Sequence, residues 1–189
     1  MDDRDLTTKL RALVDRNEIL DCIHRYTRGM DRFDRELVRS AYHPDAVDDH
    51  AGFVGTVDDF LDWAFAYHAA QTRHQHYVTN HRVELDGDEA HTETYYLFIG
   101  SERDADAPLR VVGGRYVDRF ERRDGRWAIA ARVCLVEWQT ELTSGLSPAA
   151  VEFLAAVGTV ARDTTDISYD RPLVVKRAPV PDQPMPASQ

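Results

Sequence analysis

The stretch TRHQHYVTNHRV, residues 72–83, carries His74, His76 and His81. Imidazole ionises closest to neutrality of all side chains, so it serves as a general base, a charge switch or a metal ligand. Side chains alternate along an extended strand, which sends His74, His76, Val78 and Asn80 to one face and Tyr77, Thr79, His81 and Val83 to the other. Zinc would need His74, His76 and a third ligand, for which Asp48, Asp49 and His50 form the local cluster. No spacing secures that third ligand, so no metal is expected. His76 alone fits a base lining a pocket, against the alternative of a core histidine satisfied by a carboxylate. His74 falls at a helix-to-strand junction and reads as exposed or structural. His81 reads as a surface or sheet-packing residue.

Other residues could share such a pocket. Arg132 alternates onto one strand face with Ala130, Cys134 and Val136, a costly place for a charge unless it pairs with a carboxylate or an anion. It is either an oxyanion contact or half of a salt bridge to Asp31 or Asp48. Tyr26 falls on the buried side of a helix with Cys22 and Ile23, and is either a cavity donor or a core aromatic. Asp48 and His50 share a strand face at the pocket mouth. Trp63, Tyr96, Phe98 and Trp138 are aromatic walls or plain core.

The elements that must position these groups divide the chain in two. Leu6, Leu10, Leu13 and Val14, then Ile19, Leu20 and Ile23, follow the helical period and predict two helices, the second capped by Asp15 or Asn17 and fading at Gly29. A third is expected from Asp34 to just before Pro44, with Leu37, Val38 and Ala41 buried. A fourth is expected over VDDFLDWAFAYHAA, with Phe60, Trp63, Ala64 and Tyr67 on one side. After Arg73, "DGD" and "RDGR" turns separate four long strands, so the class is α+β, with helices covering one face of a curved antiparallel sheet. Gly113-Gly114 predicts a bulge or bend. A terminal helix capped by Ser147 closes a single domain spanning 1–171, and 172–189 is a proline-rich tail, disordered or packed on a neighbouring subunit.

The 189 residues carry a formal charge of −10. With no basic stripe to offset it, nucleic acid is excluded as a partner. No apolar run reaches membrane length, and the charged N-terminus is no signal peptide. Cys22 and Cys134 lack metal spacing, and their expected place is the core of a cytoplasmic protein.

The order helices, short strand at DAVDDH, helix, then two long hairpins resembles the nuclear transport factor 2-like cone, in its SnoaL-like branch. The residues carrying the resemblance are RYTRGMDRFD, YHPDAVDDHAGFVG, HYVTNHRVELDGDEA and GGRYVDRFERRDGRWAIAARVC, from about Asn17 to Trp138. It implies a cone-shaped barrel whose interior holds an Asp–His pair that removes a proton. Dehydrochlorinases and dehydratases of the branch place that pair at positions matching Asp31, in Gly29-Met30-Asp31, and His76, before Tyr77-Val78-Thr79-Asn80. Arg132 matches a pocket arginine. Tyr26 stands where the dehydrochlorinase has an active-site lysine, a departure that disfavours halide elimination and resembles bile-acid dehydratases.

The resemblance therefore implies a cofactor-independent lyase or isomerase acting on a hydrophobic cyclic, polyketide- or steroid-like molecule. Asp31, His76, Tyr26 and Arg132 would be catalytic; Asp48, His50, Trp63, Phe98, Cys134 and Val136 would bind substrate. The alternative is a non-catalytic binding or assembly subunit, like the small subunit of ring-hydroxylating dioxygenases. A homodimer or homotrimer is expected through an outer sheet face bearing Tyr77, Val83 and Leu85.

Overall fold

A computed structural model describes residues 3–102, 108–143 and 161–175. Helix α1 (Asp3–Arg32) is followed by a short α2 (Arg35–Arg39), strands β1 (Tyr42–His50) and β2 (Phe53–Thr56), and helix α3 (Val57–Ala69). Then come four long strands, β3 (Gln71–Asp86), β4 (Glu89–Glu102), β5 (Leu109–Arg123) and β6 (Arg126–Leu142). They form one unclosed six-stranded sheet in the order β2-β1-β6-β5-β4-β3. All neighbours are antiparallel except β1 and β6, where Asp48 lies beside Arg132 and His50 beside Cys134. The expected α+β architecture is what forms. The expected helix after Ser147 and the residues beyond 175 lie outside the described residues.

The first two expected helices are one. No glycine or proline interrupts α1 before Gly29, and Asp15 caps nothing. Its carboxylate instead accepts from Trp127 Nε1 and from Arg122, both at 2.8 Å, pinning mid-helix to the sheet. Burial begins only beyond that anchor: Ile19, Cys22, Ile23, Tyr26 and Met30 pack into the concave face with Phe60, Leu61 and Ala64 of α3. Leu6, Leu10, Leu13 and Val14 follow the same period but are exposed. Near the helix end Gly29 lets α2 approach, since a β-carbon there would stand 2.5 Å from Val38 Cγ2.

Two irregularities shape the sheet. The Gly113–Gly114 bend is real: opposite it β6 carries an extra residue, Glu137, and a β-carbon on Gly114 would collide with the Leu135 carbonyl oxygen. Trp138 lies over Gly113 and is half-exposed, neither wall nor core. In β3 the register against β4 shifts between Val78 and His81. A bulge reverses the side-chain alternation beyond it, so His81, Val83 and Leu85 turn inward with His74, His76 and Val78. Val83 and Leu85 are therefore not on the outer face. The apolar residues exposed beside Tyr77 and Tyr95 are instead Val117, Val133 and Leu135. Among the described residues no helix is long and apolar enough to cross a membrane.

Candidate active site

The last turns of α1 deliver Tyr26, Met30 and Asp31 to the start of β3, because the helix runs inside the curved sheet. Asp31 accepts the backbone N–H of His76 with both oxygens at 3.1 Å, and accepts from Nδ1 of the same ring at 2.7 Å. Two donors from one residue clamp the carboxylate, and Nδ1–H is the tautomer this bond selects. Nε2 then carries the free lone pair, on a ring that lines a cavity of about 280 Å³.

His74 is buried, and structural. Its Nε2 donates to the Met30 carbonyl at 2.9 Å and its Nδ1 accepts from Arg162 at 2.5 Å. The ring stacks on His68 at 4.2 Å between centroids, and His68 meets Gln71 Oε1 through Nδ1 at 3.1 Å. Burial drives both below the ordinary imidazole range, His74 to about 4 and His68 to about 2, helped by the neighbouring rings and Arg162. Two neutral rings thus back His76. Asp31, His74 and His76 do bring one ligand atom each within 4.8 Å of one another. As they stand, both nitrogens of His74 are engaged by Met30 and Arg162, and Asp31 is bonded to His76.

The opposite part of the site centres on a buried ion pair. Arg132 is fully buried, but it meets neither Asp31 nor Asp48: Nε and Nη2 donate to the two oxygens of Asp118 at 2.7 and 2.8 Å. The guanidinium lies between the rings of Tyr26 and Tyr116, 4.2 and 4.3 Å from their centroids. It does not line the cavity itself but lies beneath two tyrosines that do. Asp48 is likewise buried behind the cavity rather than at its mouth. It accepts from Tyr42 Oη at 2.6 Å and from His50 Nδ1 at 3.0 Å.

His50, Trp63, Phe98, Cys134 and Val136 line the cavity, as does Tyr26. The Tyr26 hydroxyl is buried and makes no close hydrogen bond among the described residues; burial raises its pKa well above the usual phenol range, with Arg132 and the nearby Tyr116 hydroxyl opposing. It is therefore a neutral donor at the cavity wall. Tyr116, His68, Asp118 and Arg162 went unnoticed in the sequence. Counting residues back from the β5–β6 turn would set Asp118 opposite Ala131; it faces Arg132 because the register shifts by one between Arg119 and Phe120, so the sequence held no signal for this pair. Arg162 carries no signal either.

The SnoaL-like domain profile matches residues 11–133. No curated protein matches the chain. Among solved structures, a hexachlorocyclohexane dehydrochlorinase from Novosphingobium barchaimii is 22% identical with a TM-score of 0.66, covering 73% of this chain and 96% of its own. A candidate scytalone dehydratase from Novosphingobium aromaticivorans is 18% identical with a TM-score of 0.62, covering 72% and 97%. The Kfla4162 protein of Kribbella flavida is 21% identical with a TM-score of 0.63, covering 68% and 95%.

Proposed function

We propose that this chain, which belongs to the SnoaL-like domain family, is a lyase or isomerase that needs no cofactor and abstracts a C–H proton from a hydrophobic cyclic small molecule. The observation that carries this reading is the clamp on His76: Asp31 holds Nδ1–H at 2.7 Å while Nε2 stays available to the cavity. A base must present a lone pair, and its conjugate acid must be stabilised. The carboxylate does both, fixing the tautomer and then facing the imidazolium. Phe60, Phe98, Tyr96 and Tyr116 give the cavity largely aromatic walls, suited to a polyketide- or steroid-like skeleton.

His76 takes the proton and the electron pair moves into an adjacent carbonyl. The Tyr26 hydroxyl, neutral at the cavity wall, donates to that oxygen as its charge grows. Pre-organisation supports the step, because Arg132 and Tyr116 already fix the Tyr26 ring. The names of the similar structures, a dehydrochlorinase of a halogenated ring and a candidate scytalone dehydratase, speak for elimination on ring compounds.

The test is deuterium exchange. A panel of cyclic ketones, 2-tetralone and steroid ketones among them, is incubated with the protein in heavy water and the α-carbon is followed by mass spectrometry. Accelerated exchange that disappears in His76→Ala and Asp31→Asn is the expected result. Exchange persisting at the wild-type rate in His76→Ala would remove His76 as the base and leave the ligand-binding alternative.

A further inference from the structure

His50, which lines the same cavity as His76, carries a second aspartate–histidine pair. Its Nδ1 meets Asp48 Oδ1 at 3.0 Å, and its ring packs against Phe60 at 4.9 Å and Tyr116 at 6.1 Å between centroids. Directly behind it lie two fully buried carboxylates, Asp48 and Asp118, and one fully buried guanidinium, Arg132. Without a proton on His50 this enclosed group carries one negative charge in excess, which an interior tolerates poorly.

The remaining titratable groups facing His50 are Tyr42 on β1, Tyr26 on α1, Tyr116 on β5 and Cys134 on β6. Burial holds the three phenols far above their usual range, so they stay neutral. Phe60 and Trp63 of α3 bring no charge. We infer that His50 is a cationic anchor, held by Asp48, for an anionic oxygen on the ring compound that enters this cavity.

The chemistry of the neighbours agrees. Burial alone would drive His50 towards the neutral form, yet its hydrogen bonds and charge attraction to Asp48 and to the Cys134 sulfur prevail and raise it to about 9. Nδ1–H is committed to the carboxylate. Nε2–H is left beside the Cys134 thiol at the cavity wall, and a charged oxygen is a far stronger acceptor than sulfur. The substrate class narrows accordingly, to a ring bearing a phenolate, enolate or carboxylate oxygen. This rests on reading the cavity as a ring site, but not on His76 being a base.

The two are separable with 4-nitrophenol, which has no exchangeable acidic C–H and absorbs in the visible only when ionised. Its methyl ether, 4-nitroanisole, reports apolar fit alone. Wild-type protein should bind the phenol in its ionised form at a pH where the free compound is neutral. His50→Gln should abolish that band and weaken phenol binding by about tenfold or more at neutral pH, with 4-nitroanisole affinity unchanged. Asp48→Asn, which keeps the ring but removes its counter-charge, should weaken the band, whereas His76→Gln should leave it. Circular dichroism on each variant excludes unfolding. A bound phenol that is neutral in the wild type, a wild type that fails to bind it, or an ionised band surviving in His50→Gln would each overturn the assignment. The last would pass the anchor to Arg110, which also lines the cavity.

Discussion

Asp31 reaches His76 from the end of a helix, across 45 positions of sequence, and its side chain stays 15% exposed. Asp48 reaches His50 from two residues away on one strand and is wholly buried, beside a second carboxylate and a guanidinium. Both aspartates accept from Nδ1, so both rings offer Nε2 to one cavity. The first pair is backed by two rings held neutral, His68 and His74; the second by a buried group short of one positive charge. On the proposed reading, identical side-chain pairs are thus set for opposite work, one to receive a proton and the other to hold one. The surroundings, not the residue types, make that division.

Breaking the first pair should have the largest effect. His76→Ala and Asp31→Asn should each lower the exchange rate about 10²- to 10⁴-fold. Because the two act as one unit, the double variant should be little worse than either single one.

Disturbing the charge group behind the second pair should chiefly cost stability. Arg132→Met strands Asp118 without its partner and should destabilise by about 3–5 kcal/mol in urea unfolding. Adding Asp118→Leu should recover most of that loss, because the desolvation penalty of both charges is then gone. A double variant no more stable than Arg132→Met would show that Arg132 does more than balance Asp118.

Tyr26 lines the cavity with both histidines, and its stability and activity should respond in opposite directions. Tyr26→Phe removes a buried hydroxyl that makes no close hydrogen bond among the described residues, so thermal stability should hold or rise. Loss of its hydrogen bond to substrate should cost about 1 kcal/mol, read as a several-fold fall in kcat/KM. A drop in both would mean that the hydroxyl has a structural partner.

The smallest effects sharpen the contrast through pH. His68 and His74 are depressed in the folded protein, to about 2 and about 4, whereas the unfolded chain protonates them near 6.5. Their contribution is therefore complete above about pH 6.5 and fades as pH falls, towards 4 for His74 and towards 2 for His68. His50 is raised to about 9; its contribution is complete below about 6.5 and fades as pH rises through 9. Melting temperature against pH should show both limbs, and His50→Gln should flatten only the alkaline one.

Much of this fold was legible from pattern. The two-residue turns, with Asp124 and Gly125 both at positive φ, marked the β5–β6 hairpin by chemistry that only such turns require. The helical period located the buried face of α1 from Ile19 onward. The same period misled for Leu6 to Val14, because periodicity records an amphipathic face and not what covers it. Alternation along β3 was right to Val78 and inverted after it, since a bulge moves one residue out of the ladder without leaving a mark in composition.

The candidate site divides along the same line. The residue types, the local Asp48–His50 spacing and the resemblance that singled out Asp31 and His76 were all in the sequence. Which carboxylate neutralises Arg132, which histidine loses both nitrogens, and which rings face the cavity were decided only by the folded chain. Local spacing determines what neighbours in sequence can do. Charge pairing and desolvation depend on groups brought together from distant segments, and those are settled only when α1 lies inside the sheet.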